Sequence, residues 1–209
     1  MKILRIGILN LTLFGLGGCA SMSGEECALS DWRTIGFEDG SQGYTADRLG
    51  DHRKACAKHG IAPDLRTYQA GRDEGLELFC QPSRGFSLGA SGGHYNGVCS
   101  ADLEPGFLDG YHSGAELYSL RAAVNSATHQ IHARESELER SEDLIREKEA
   151  ALIDSETTTD ERIMLLADLK DLSERTGQLE AEIDLLIDDR ARHQERLASY
   201  QATLAYDGY

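Results

Sequence analysis

The stretch "GYHSGAELYSLRAAVNSATHQI", from Gly110 to Ile131, joins the two patterns that decide the fold. It begins with two glycines four positions apart, Gly110 and Gly114. Residues four apart share one helix face, so such a pair leaves a flat strip that another backbone can approach closely. From Leu117 onward apolar residues recur every seventh position, which is typical of a coiled coil. The stretch therefore predicts that a glycine-packed helical region continues directly into a long helix.

The heptad pattern extends from this stretch almost to the end of the chain. Its main apolar positions are Leu117, Val124, Ile131, Leu138, Ile145, Leu152, Leu165, Leu172, Leu179 and Leu186. The segment "DSETTTDE", Asp154–Glu161, interrupts it, and Thr158 with Glu161 forms a capping-box pattern that starts a new helix. Two helices with a short turn predict an antiparallel coiled-coil hairpin over residues 115–205, turning at about 154–160. An arm of roughly forty residues at 1.5 Å per residue is about 60 Å long.

The second seam of the first arm is polar beyond its first turns. It runs through Leu120, Ala127, Arg134, Ser141 and Lys148. This defect leaves room for a partner helix or for self-association of hairpins. Alternatively, Arg134 and Lys148 lay their stems along the seam and pair with acids.

The charge of the chain is strongly negative. The formal net charge is −15, and the residues from Ala115 onward include 22 acidic and 11 basic ones. So acidic a surface argues against nucleic-acid binding and against docking on anionic lipid through a basic patch.

The first residues have the form of a secretory signal. A basic start, "MKILR", precedes an apolar run that is too short to span a membrane. The boundary "LGGC", Leu16–Cys19, resembles the lipobox of bacterial lipoproteins, which implies that Cys19 carries fatty-acyl chains such as palmitate and anchors the protein to a membrane. The alternative is an ordinary signal with a chance cysteine. The prediction is a signal peptide over residues 1–18 and a lipidated linker over 19–29. Ala20 favours the periplasmic face of the outer membrane, by analogy with the enterobacterial sorting rule.

Four cysteines remain, at positions 27, 56, 80 and 99. In an oxidising compartment an even number of cysteines favours disulfides over a zinc site, which usually uses closely spaced pairs. Three connectivities are possible. The expected helix order favours Cys27–Cys56 and Cys80–Cys99, the second closing a Gly- and Ser-rich loop over residues 81–105.

Glycine pairs recur through residues 30–114, a Cys- and Gly-rich segment predicted to form a helical head. The pairs are Gly36–Gly40 in "GFEDG", Gly71–Gly75 in "YQAGRDEG", and Gly110–Gly114, which follows "GFLDG". We interpret them as helix-packing contacts, with a docking strip for a partner helix as the rival interpretation. The predicted fold is all-α: a small disulfide-stapled helical head followed by the coiled-coil hairpin.

Residues that could carry chemistry are few. Asp39 and Asp109 occupy matching places in "GFEDG" and "GFLDG", and His94 lies in the glycine-rich loop. They support an alternative hypothesis of a small-ligand or catalytic module around the Cys80–Cys99 loop. The histidines lack metal-ligand spacing, and no nucleophile motif is present. The sequence therefore predicts no catalytic residue, metal or cofactor, and the protein is not expected to be an enzyme.

Three segments carry a family resemblance. These are "CALSDWRTIGFEDGSQG", "YQAGRDEGLELFC" and "YNGVC" leading into "GFLDGYHSGAELY". Over about residues 27–118 the chain resembles an uncharacterised family of proteobacterial lipoproteins with a domain of unknown function. The resemblance implies an envelope lipoprotein and supplies no catalytic residues. We therefore expect a lipid-anchored outer-membrane protein with a structural or interaction role, presenting its acidic coiled coil to a protein partner or to a second copy.

Overall fold

The computed structural model describes residues 22–207, and this part of the chain is helical without strands. The helices are α1 (Gly24–Leu29), α2 (Trp32–Ser41), α3 (Arg48–Ala57), α4 (Leu65–Phe79), α5 (Pro82–Ala90), α6 (Glu104–Ile153) and α7 (Thr159–Asp207). The prediction of an all-α fold is confirmed. The predictions for the signal peptide and for Cys19 lie outside the described residues.

The chain divides into two compact units, and the boundary falls within α4, between Gly75 and Leu76. The predicted head, residues 30–114, is therefore divided between the units, and its residues 76–114 group with the long helices. None of the described helices is both long enough and apolar enough to cross a membrane.

The first unit is built around a small core. Its buried members are Cys27, Trp32, Leu49, Cys56 and Tyr68. Cys27 is bonded to Cys56, with an S–S distance of 1.98 Å. Helix α1 lies within the predicted linker and begins at a capping box formed by Ser23 and Glu26.

The second unit contains the antiparallel hairpin of α6 and α7. Near its base, the Tyr200 hydroxyl donates to the Ser113 carbonyl at 2.9 Å. Near the turn, Lys148 Nζ lies 2.6 Å from an oxygen of Asp168. The heptad residues face inward, and Leu117, Ile131 and Leu179 are buried in the seam.

The turn of the hairpin is held by side-chain caps. The backbone N–H of Thr158 donates to the Glu161 carboxylate at 2.8 Å, which completes the predicted capping box together with the return bond from Glu161 N–H. Arg162 donates to the carbonyls of Leu152, Asp154 and Thr157, so it caps the last turn of α6.

Residues 81–105 are not one continuous loop, which corrects the sequence-based prediction. Helix α5 occupies Pro82–Ala90, with Pro82 at the favoured first position and left-handed Gly92 (φ 72°) just beyond its end. Two of the glycines that predict a loop, Gly85 and Gly89, are needed for close packing against α6. Cys80 is bonded to Cys99 with an S–S distance of 2.10 Å, which links the residue after α4 to the segment before α6.

Candidate functional site

Glycines set the distance between α2 and α4 in the first unit. A Cβ atom added to Gly36 would overlap the carbonyl of Tyr68, and one added to Gly71 would overlap that of Arg33. A Cβ on Gly75 would likewise overlap the carbonyl of Phe37. The two helices are therefore in backbone contact, and Gly40 is buried beside them.

The same contact recurs between α5 and α6 in the second unit. A Cβ on Gly110 would overlap the carbonyl of Pro82, and one on Gly114 would overlap that of Phe86. The partner strip consists of Gly85 and Gly89, whose added Cβ atoms would overlap the carbonyls of Phe107 and Tyr111. This second strip differs from the sequence-based prediction, in which both glycines belong to a loop over residues 81–105.

These contacts show which residues of the two helix pairs correspond. Gly36 meets the carbonyl of Tyr68, as Gly85 meets that of Phe107. The structural counterpart of "GFEDG" is thus "GFSLG" at Gly85–Gly89, whereas "GFLDG" corresponds to the segment around Tyr68. The backbone hydrogen bonds at the ends of α2 and α5 support this correspondence. The N–H of Tyr44 donates to the carbonyl of Asp39 at 3.1 Å, and the N–H of Gly93, also five residues further on, donates to that of Leu88 at 2.9 Å.

The first helix pair holds a buried polar cluster that consists of Asp39, His52 and Tyr68. One carboxylate oxygen of Asp39 accepts a hydrogen bond from the Tyr68 hydroxyl at 2.8 Å. The same oxygen lies 2.8 Å from Nε2 of His52. Arg48 approaches the other oxygen at 3.6 Å. Side-chain exposure is 8% for Asp39, 15% for His52 and 44% for Arg48, so the cluster meets solvent on one side only.

The electrostatics of this cluster follow from its hydrogen bonds. When the Asp39 carboxylate is ionised it can only accept, and the hydrogen of this contact then lies on Nε2 of His52. Burial, followed by the hydrogen bond to Asp39, raises the pKa of Tyr68 far above its ordinary value of 10.0. The phenol therefore remains a donor throughout the neutral range.

The cluster ties α2, α3 and α4 together. Its one carboxylate oxygen serves two donors on different helices, and Tyr68 is only 1% exposed. A buried carboxylate is tolerated when its hydrogen-bonding capacity is used. The arrangement supports a structural role, because its hydroxyl and carboxylate face each other rather than a cavity.

The corresponding position of the second pair is apolar. Leu88 stands where the first pair has Asp39, and Phe107, which is fully buried, stands where it has Tyr68. Phe107 packs on the rings of Phe79 and Tyr95, with centroids 5.2 and 4.7 Å away.

The loop closed by Cys80–Cys99 is pinned to the second unit by Tyr95. Its hydroxyl donates to Glu104 at 3.0 Å and accepts from the backbone N–H of Cys99 at 3.0 Å. His94 and Asp109, two residues of the alternative hypothesis, are exposed, and Asp39 belongs to the other unit. Within residues 22–207, no group of His, Cys, Asp and Glu side chains is arranged to hold a metal ion.

The polar second seam of the hairpin is paired internally. Arg134 lies 3.0 Å from Glu137 and 2.8 Å from Glu182, and Arg175 lies 2.7 Å from Glu137. Ser141 is buried and donates to the carbonyl of Glu137. Of the two interpretations of this seam, the contacts favour pairing with acids, because Lys148 also has its partner in Asp168.

The sequence motifs predict no partner for Asp39, although the helix period contains a signal for one of the two. His52 lies between Leu49 and Cys56, three and four residues away, and so shares their buried helix face. No local pattern indicates the second partner, because only the fold brings the hydroxyl of Tyr68 to Asp39, 29 residues away.

Comparison with known proteins identifies one family. No curated protein and no solved structure matches the chain significantly. The match to the family covers α2 to the first turns of α6 and leaves out most of the hairpin. It confirms the resemblance to a family with a domain of unknown function. Residues 31–116 match the family described as "Protein of unknown function (DUF2799)".

Proposed function

We propose that the protein is a lipid-anchored structural or protein-interaction component of the bacterial cell envelope, in which the α6–α7 hairpin presents an acidic surface to a partner. The observation that carries this proposal is the hairpin itself. Its two helices have 50 and 49 residues and close their own seam with ion pairs. Because the charged groups of the seam are paired within the hairpin, the outer surface of the hairpin is the part that a partner would meet.

The packing of the helix pairs supports the same proposal. In both pairs the space between the helices is filled by backbone contact, and aromatic side chains occupy the adjoining volume. Ligand sites are usually concave and lined by apolar groups with a few convergent polar ones. The buried polar cluster of the first unit is instead a closed set of mutual partners.

The length of the hairpin suits a role in reaching a partner. Its paired part extends from Ser113 to the turn after Ile153, some forty residues, which gives about 60 Å at 1.5 Å per residue. In this proposal the acyl chains on Cys19 hold the protein on the periplasmic face of the outer membrane.

Site-specific photo-crosslinking in cells tests the interaction role. A photoreactive residue at the exposed positions Leu166 or Leu185 should give products with a second protein. The same residue at Arg134 or Lys148 should give only crosslinks within the hairpin, since these side chains are paired between α6 and α7. The proposal fails if exposed positions all along the hairpin give no intermolecular product.

The anchor is tested separately with Cys19→Ala. The wild-type chain should sediment with membranes and carry acyl chains detectable by mass spectrometry. The variant should lose the acyl mass and leave the membrane fraction after a high-salt wash, because the acidic surface offers no basic patch to hold it there. Cys19→Ala protein that keeps the same membrane association would refute the predicted anchor.

A further inference from the structure

We propose that the turn end of the hairpin is a docking site for a basic amphipathic helix of a partner protein. This inference rests on the proposed function and adds to it the place and chemistry of contact. It is carried by a groove of about 760 Å³ beside the turn, which we call the tip groove. Its apolar lining consists of Ala151, Met164, Leu165 and Ala167, and its carboxylate rim of Asp154, Glu156, Glu161 and Asp168.

The tip carries large apolar side chains that the hairpin leaves in solvent. Met164, which lines the tip groove, is 61% exposed. Further exposed apolar side chains near the turn, outside the lining of the groove, are Ile153 at 82%, Ile163 at 62% and Leu166 at 56%. Two helices that end together cannot cover the outward faces of their last turns. Exposed apolar surface rimmed by polar residues, as Met164 is by the groove carboxylates, is typical of interaction sites.

The charge of the rim identifies the kind of partner. Lys148 pairs with Asp168, but no ion pair involves Asp154, Glu156 or Glu161 in the described part of the chain. Arg162, the nearby cation, donates to backbone carbonyls instead. The backbone N–H of Thr158, followed by its hydroxyl, donates to the Glu161 carboxylate and lowers its pKa.

A basic amphipathic helix satisfies both features of the groove. Its apolar face would cover Met164 and Leu165, and flanking Lys or Arg side chains would meet the rim carboxylates. A second copy of this tip would bring like charges together, and an anionic lipid surface would be repelled by the same rim. The charge complementarity therefore favours a separate protein with a cationic segment.

The test uses the full chain and a synthetic Leu/Lys peptide whose leucines occupy one helical face. Fluorescence anisotropy should show saturable binding that weakens with salt. A Leu/Glu peptide with the same leucine positions should not bind. A scrambled Leu/Lys peptide, with equal charge but no apolar face, should bind much more weakly.

Two matched pairs of variants locate the contact. Met164→Gln should raise Kd about tenfold, the amount expected when one buried apolar side chain is lost. Leu185→Gln also replaces an exposed apolar side chain of α7, 21 positions further on, and it should leave the Kd unchanged. Glu156→Lys should weaken binding of the Leu/Lys peptide, whereas Glu180→Lys, the same charge change on an exposed part of α7, should affect it far less.

Three results would overturn the inference. They are absence of binding, equal losses for Met164→Gln and Leu185→Gln, and sedimentation showing a dimer that Met164→Gln dissociates, which would assign the groove to a second copy. None of these would remove crosslinks from Leu185 to another protein. The docking site and the general interaction role can therefore fail independently.

Discussion

The α2–α4 and α5–α6 pairs use one backbone design with opposite interiors. Both bring helices into contact through glycines four residues apart. In both, a disulfide joins the segment before the first helix of the pair to the segment before the second. The first pair places Asp39 against Tyr68, and the second places Leu88 and Phe107 at the corresponding positions. Glycine contact thus fixes the geometry of a pair, and the residues beside it decide whether hydrogen bonds or apolar packing complete it.

The largest expected effect comes from breaking the shared backbone contact. Gly36→Leu or Gly85→Leu should each destabilise its own pair by more than about 3 kcal/mol, because backbone atoms cannot move aside as flexible side chains do. Thermal unfolding followed by near-UV circular dichroism, with a count of free thiols, measures this loss. Gly50→Leu is the matched control in helix α3, where an added Cβ meets nothing within 4 Å. Unchanged stability of Gly36→Leu and Gly85→Leu would contradict the packing account.

The next largest loss of stability is expected when the polar interior of the α2–α4 pair is changed toward the apolar interior of the α5–α6 pair. Asp39→Leu gives the first pair the residue of the second, but it leaves the hydroxyl of Tyr68 and Nε2 of His52 without their acceptor. Removing one partner from a buried charged network costs about 3 kcal/mol or more. Denaturant unfolding monitored at Trp32, which packs edge-on against His52, reports on this unit. If Asp39→Leu were as stable as wild type, the hydrogen bonds of Asp39 to His52 and Tyr68 would not stabilise the packing of α2, α3 and α4.

A smaller loss of stability is expected when Tyr68 is replaced by phenylalanine, the residue at the corresponding position of the second pair. Tyr68→Phe removes one hydrogen bond and should cost about 1 kcal/mol. In an Asp39→Leu background the same change should cost much less, since the acceptor is already gone. A double-mutant cycle on unfolding free energies measures this coupling. Additive changes would mean that the two side chains do not interact.

The smallest effect is a pH dependence confined to the first pair. Folding raises the pKa of Tyr68 above its ordinary value of 10.0, so the unfolded chain releases this proton first. The stability contributed by the neutral phenol is therefore fully present below pH 10 and declines as the pH rises above it. The difference in unfolding free energy between wild type and Tyr68→Phe should shrink between pH 9 and 11 (about one unit on either side of that value). A constant difference over this range would contradict the raised pKa.

Much of the local structure was predictable because it depends on residues near one another in sequence. The capping box of Thr158 and Glu161 ends the turn as expected, and heptad leucines such as Leu179 lie in the seam. The two disulfides join the cysteines that the helix order favoured. Helix α5 was missed because Gly85 and Gly89 have low helix propensity, and only their contact with α6 overrides it.

The sequence by itself determined the helical class, the hairpin and the surplus of acidic charge, since periodicity and composition act locally or over the whole chain. Only the tertiary structure decided which glycine strips meet, that Asp39 has His52 and Tyr68 as partners, and that the polar seam is neutralised internally. The tip groove likewise depends on the registry of two long helices. These features join residues far apart in the chain. The similar segments "GFEDG" and "GFLDG" therefore occupy different structural positions, because the first packs against α4 and the second against α5.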